Sequence, residues 1–131
     1  MCVRVLLAED TELVRKAIRA LLSEREDITL VGDAATLSEV IRKTEELRPD
    51  VVIFDLHMAN GETERLCAGS KLLAISFAND DEAKAAAARI GAAKLLDKME
   101  LANELIPAIL GLAPERAAFN QLDGDAQRAQ P

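Results

Sequence analysis

A rhythm constrains this chain more than any single residue does. Five short apolar runs, each closing on polar residues, alternate with longer stretches of helical period. Val3 to Ala8 is almost wholly apolar and ends at Glu9 and Asp10, the pattern of a strand covered on both faces. Ile28 to Val31, Val51 to Phe54, Leu72 to Phe77 and Ala92 to Leu96 read the same way, and the third of the five runs ends at Asp55. Between the first two, Leu13, Val14, Ala17, Ile18, Leu21 and Leu22 recur at helical spacing. Thr36 and Glu39 form a capping-box pattern that opens a helix with the stripe Leu37, Val40, Ile41 and Leu47, and Pro49 stops it. Glu62 to Ala68 has room for about two helical turns. Asp80 and Asp81 cap an alanine-rich helix that closes at Gly91. Leu101, Leu105, Ile109 and Leu112 outline the last helix, which Pro107 is expected to bend unless it marks the true first turn.

Strand and helix alternating five times predict an α/β, doubly wound parallel sheet with helices on both faces, because crossovers between parallel strands keep one hand. Such sheets bind ligands beyond the carboxyl ends of their strands. At 131 residues one domain is expected, spanning 1–112. In residues 113–131 the periodicity is lost to Pro, Gly, Gln, Asp and Arg, which predicts a mobile tail or linker.

Composition narrows the function. The net charge of −7 would repel a phosphate backbone, and the only aromatics are three Phe, so direct nucleic-acid binding is disfavoured. No apolar run approaches about 18 residues, and the N-terminus lacks the pattern of a signal peptide; no membrane association and a cytoplasmic location are expected. Cys2 and Cys67 lack metal-ligand spacing and are expected as free thiols in a reducing compartment.

The polar residues at the strand ends carry the chemistry. Glu9 and Asp10 follow the first strand, Asp55 ends the third, Ser76 nears the end of the fourth and Lys98 follows the fifth. Taken singly each has an ordinary reading: an acidic pair at a helix start, a turn aspartate, a strand serine, a solvated lysine. Brought into one crevice, three carboxylates would repel one another and invite a cation, and oxygen-only ligands suit Mg²⁺. An ionised carboxylate can attack phosphorus, while a hydroxyl and an ammonium can hold the oxygens of the transferred group.

The segments V-L-L-A-E-D (5–10), P-D-V-V-I-F-D-L-H-M (49–58), L-L-A-I-S (72–76) and L-L-D-K (95–98) resemble the marker blocks of two-component response-regulator receiver domains, and the resemblance runs from about Val3 to Leu112. It implies a flavodoxin-like sheet of strand order 2-1-3-4-5. It implies Asp55 as phosphoacceptor, Asp10 as a direct Mg²⁺ ligand, Glu9 acting through a metal-bound water and the His57 backbone carbonyl as a further ligand. Ser76 would be the switch hydroxyl and Lys98 the partner of the phosphoryl oxygens. The implied partners are a histidine kinase or phosphotransfer protein, and an output domain or partner protein on the face of the fourth helix, fifth strand and last helix. The implied activity is signalling, with assistance only to the domain's own phosphoryl transfer and autodephosphorylation. The last helix, 97–110, resembles those of receivers that precede helix-turn-helix output domains.

Several positions depart from the family pattern. Ala59 and Met99 stand where proline is common, and Leu95 where an aromatic is common. The stretch from Asp55 to Ser76 is short, and Phe77 follows the switch hydroxyl where a small residue is usual. Phe77 either turns away to fill core or narrows the mouth of the pocket. The alternative function is a pseudo-receiver, an interaction module that is not phosphorylated. A dehalogenase-like phosphatase would want a second Asp where His57 stands, and a nucleotide-binding fold would want glycines where Glu9-Asp10-Thr11-Glu12 stand.

Overall fold

The apolar runs pair side by side. The computed structural model describes residues 2–59 and 69–114. The strands are β1 (Val3–Ala8), β2 (Ile28–Ala34), β3 (Val51–Asp55), β4 (Lys71–Ser76) and β5 (Lys94–Asp97). All neighbours are parallel and the order is β2-β1-β3-β4-β5. The helices described are α1 (Glu12–Ser23), α2 (Leu37–Leu47), α3 (Asp81–Arg89) and α4 (Leu101–Gly111). The expected helix at Glu62 to Ala68, Cys67 and the tail from 115 lie outside the described residues.

Alternation along the strands splits the core into two layers. Val3, Val5, Leu7, Val51, Ile53, Leu73, Ile75 and Leu96 face α1 and α4, where Ile18, Leu22, Leu105 and Ile109 meet them. Leu6, Ala8, Val52, Phe54 and Leu72 face the other way, toward Val40 of α2 and Ile90 after α3. Gly32 lets α2 lie close, since a Cβ there would come within 3.1 Å of Leu47 Cδ1.

The helix ends follow their local chemistry. Thr36 Oγ1 accepts the Glu39 N–H (3.2 Å) while Glu39 Oε1 accepts the Ala35 N–H (2.9 Å), a reciprocal cap displaced by one residue from the usual box. Asp80 Oδ1 accepts the Ala83 N–H (2.9 Å) at the start of α3. At its end Gly91 has φ of 81°, with Gly91 N–H bonded to the Ala88 carbonyl and Ala92 N–H to the Ala87 carbonyl, a Schellman closure.

Several expectations need correction. β2 runs on from Val31 to Ala34, because the register slips between Val5 and Leu6 and Gly32 to Ala34 then pair with Leu6 to Ala8. β4 stops at Ser76 rather than Phe77: Ser76 Oγ accepts the Ala78 N–H (3.0 Å) and turns the chain. β5 starts at Lys94, since Ala92 is still engaged in closing α3. Leu13, expected on the inner stripe of α1, is 78% exposed. Pro107 lies six residues into α4 and so does not mark its first turn; it sits on an exposed face with Asn103, where the lost backbone bond is cheapest. No helix among the described residues is long and apolar enough to cross a membrane.

Candidate functional site

The order β2-β1-β3 places the switch point between β1 and β3, and the acidic residues stand at that spot. Glu9 continues the alternating series of Val5 and Leu7, Asp55 continues Val51 and Ile53, and Lys98 continues Leu96; all three therefore extend the face that packs on α1 and α4. Glu9 is fully buried and Asp55 nearly so, whereas Asp10 is exposed. One carboxylate oxygen from each lies within 4.8 Å of the others.

Lys98 closes the cluster. Its Nζ is 3.0 Å from Glu9 Oε1 and 3.2 Å from Asp55 Oδ1, and its side chain is only 5% exposed. The contact with Glu9 is one of charge without hydrogen-bond alignment, which leaves Oε1 as a buried acceptor facing the crevice. Glu9 Oε2 accepts the Thr11 N–H (3.0 Å) and Asp55 Oδ1 accepts the His57 N–H (3.1 Å). Burial pushes the Asp55 carboxyl above its ordinary range; the His57 N–H opposes this, the Glu9 charge adds to it, and Lys98 pulls it back.

Of the residues singled out in the sequence, Glu9, Asp10, Asp55 and Lys98 come together. Ser76 sits one step past Ile75, the β4 residue paired with Asp55, and its Oγ is engaged with the Ala78 N–H rather than with the carboxylates. It opens onto a shallow groove of about 230 Å³ that includes His57, Leu56 and Ala83. The His57 side chain is exposed. Phe77 does not fill core: it is 62% exposed, and its ring centroid lies 5.0 Å from Lys98 Nζ.

Arg15 was not among the expected site residues. Its Nη1 donates to the Glu9 carbonyl (2.7 Å), which fixes the turn carrying the acidic pair. The signal available in the sequence was a basic residue one helical turn past Thr11. Cys2 is a free thiol whose Sγ donates to the Glu26 carbonyl (3.2 Å).

Fold and cluster together define a doubly wound α/β module with an acidic crevice, capped by a buried lysine, at its switch point. Residues 5–110 match the response regulator receiver domain model. LiaR, a transcriptional regulatory protein of Bacillus subtilis (strain 168), is 33% identical over 114 residues, covering 82% of this chain and 54% of LiaR. The chain thus spans about half the length of that relative. The response regulator domain of Thermotoga maritima CheB has a TM-score of 0.76 at 22% identity, covering 86% of this chain and 96% of the other. The signal receiver domain of the NarL regulator from Mycobacterium tuberculosis has a TM-score of 0.71 at 22% identity, covering 84% and 98%. The chain belongs to the response regulator receiver domain family, the receiver component of two-component signalling.

Proposed function

We propose that this receiver takes a phosphoryl group on Asp55 from the phosphohistidine of a kinase or phosphotransfer protein. The observation that carries the reading is the buried Asp55 carboxylate set among Glu9, Asp10 and the Lys98 ammonium. The donor set is all oxygen, crowded and partly open to solvent at Asp10, which fits Mg²⁺. Glu9, Asp10, Asp55 and the His57 backbone carbonyl would hold it. When bound, Mg²⁺ supplies positive charge to the carboxylates and to the oxygens of the incoming group.

An Asp55 oxygen attacks phosphorus, an acyl phosphate forms, and the bond from phosphorus to the donor imidazole nitrogen breaks with its electron pair left on the ring. Lys98, already 3.2 Å from Oδ1, is the nearest ammonium for the transferred oxygens. Ser76 Oγ accepts the Ala78 N–H, so its own proton remains free to donate to them. Contacts that these two residues make only in the phosphorylated state are the source of a population shift. The surface to read it is formed by α3, β5 and α4, where an output domain or partner protein would dock. Loss of the phosphoryl group to water is assisted by the same residues, with no other enzymatic role.

The test uses a small phosphodonor and Mg²⁺. Wild type should acquire a hydroxylamine-labile label that Asp55→Asn lacks, and Asp10→Asn should weaken Mg²⁺ binding and labelling together. A wild type that takes no label would leave the interaction-module reading in its place, and label on a serine or on His57 would overturn the assignment.

A further inference from the structure

Phe77 is a large aromatic residue left exposed beside the most buried cation of the site. The β4–β5 register explains how it gets there. Ser76 pairs with Asp97, so Phe77 and Lys98 are the next positions on neighbouring parallel strands. Residues at matched positions project to the same side. Both chains then turn away under side-chain control: Ser76 Oγ accepts the Ala78 N–H, and Asp97 Oδ1 accepts the Met99 N–H (2.8 Å). Phe77 also continues the series Leu73 and Ile75 on the face from which Asp55 projects.

We propose that Phe77 is a positioning residue that holds the Lys98 ammonium against Glu9 and Asp55 through the face of its ring. The distance of 5.0 Å from Nζ to the ring centroid lies within the range of a cation–π contact. A phenylalanine that is 62% exposed gains little from burial, and the contact its ring makes is with Lys98. That lysine is 5% exposed and has carboxylates on its other side at 3.0 and 3.2 Å. A long four-carbon side chain otherwise costs entropy to hold in one geometry, and the ring confines it to the position from which it meets the transferred oxygens. The inference rests on Asp55 being the phosphoacceptor.

The experiment compares wild type, Phe77→Leu and Phe77→Tyr, alone and with Lys98→Ala. Phe77→Leu keeps bulk at the mouth and removes the π face. Labelling of Asp55 by acetyl phosphate with Mg²⁺ should slow about 3- to 10-fold in Phe77→Leu, the span expected for a partly desolvated cation–π contact. Phe77→Tyr, which returns the ring, should recover that loss. On the Lys98→Ala background the leucine substitution should change nothing. Independently of phosphorylation, the Lys98 side-chain methylene protons should show an upfield ring-current shift in wild type and Phe77→Tyr that vanishes in Phe77→Leu. Equal rates in wild type and Phe77→Leu, a slowing that persists without Lys98, or no ring-current shift overturns the inference. Faster labelling in Phe77→Leu overturns it too and makes Phe77 a plug of the pocket mouth. A wild type that takes no label overturns both this inference and the reading of Asp55, so the two failures are told apart.

Discussion

Asp55 carries its charge where the surroundings disfavour it. Burial and the Glu9 charge push its carboxyl up, and the His57 N–H and Lys98 only partly offset them. In a buffer free of divalent cations, Asp55→Asn should therefore fold more stably than wild type, because it removes one of two buried carboxylates that share the Lys98 ammonium and leaves Glu9 as its partner. The pH dependence has a definite sign. A carboxyl raised in the folded state destabilises fully above its folded pKa, less as pH falls, and not at all below its ordinary 3.8. The gap between variant and wild type in urea unfolding should close on acidification; a variant less stable at neutral pH would mean that pairing with Lys98 outweighs burial. The residues themselves were legible because Glu9, Asp55 and Lys98 each end or follow an apolar run. The burial of Lys98 was not, since a lysine after a strand is ordinarily solvated. Nor was the place of Phe77: alternation gives the side of the sheet but not whether a helix covers that spot.

The elements were legible where period and caps agree, as in α2. Its cap gives a direct test: Thr36→Ala should cost about 1 kcal/mol, read as a lower unfolding midpoint. The Ala35 N–H holds the Glu39 carboxyl below its ordinary 4.5. A depressed carboxyl contributes stability above its unfolded pKa and loses it as pH falls through the folded value. The advantage of wild type over Glu39→Gln in melting temperature should therefore shrink only on acidification below about pH 4.5. The same helix carries a defect. Thr44 is buried at 5% exposure, and its Oγ1 finds no hydrogen-bond partner among the described residues. Thr44→Val keeps the shape and removes the orphaned hydroxyl, so it should stabilise by about 1 kcal/mol, or about 3–5 °C in melting temperature. An unchanged or lower melting temperature would mean that the hydroxyl is satisfied in solution. Strand ends were less legible than helix caps. The register slip that lengthens β2 depends on pairing with β1, and the late start of β5 depends on how α3 closes; neither leaves a local signal.

At the scale of the whole molecule the sheet order does the gathering. Residues separated by nearly ninety positions in sequence meet because β1 and β3 adjoin at the switch point and β5 ends one strand beyond β4 on the same side. Strand–helix alternation made the parallel sheet legible, while the order 2-1-3-4-5 came from resemblance, since alternation alone permits other orders. We propose that the folding unit ends with the layer that α4 covers. Leu110, Leu112 and Ala113 pack against the core that α1 and α4 share, and the Ala113 N–H bonds the Leu110 carbonyl (3.2 Å). A chain ended after Pro114 keeps those contacts and should melt within about 2 °C of the full chain, a shift of a few tenths of a kcal/mol for a domain of this size. A chain ended after Gly111 loses two partly buried apolar side chains and the closing turn of α4, and should lose about 1–2 kcal/mol. Thermal melting of the two truncations beside the full chain checks both. If the chain ended after Pro114 melts as low as the shorter one, residues beyond 114 contribute to the fold and the domain does not end with α4.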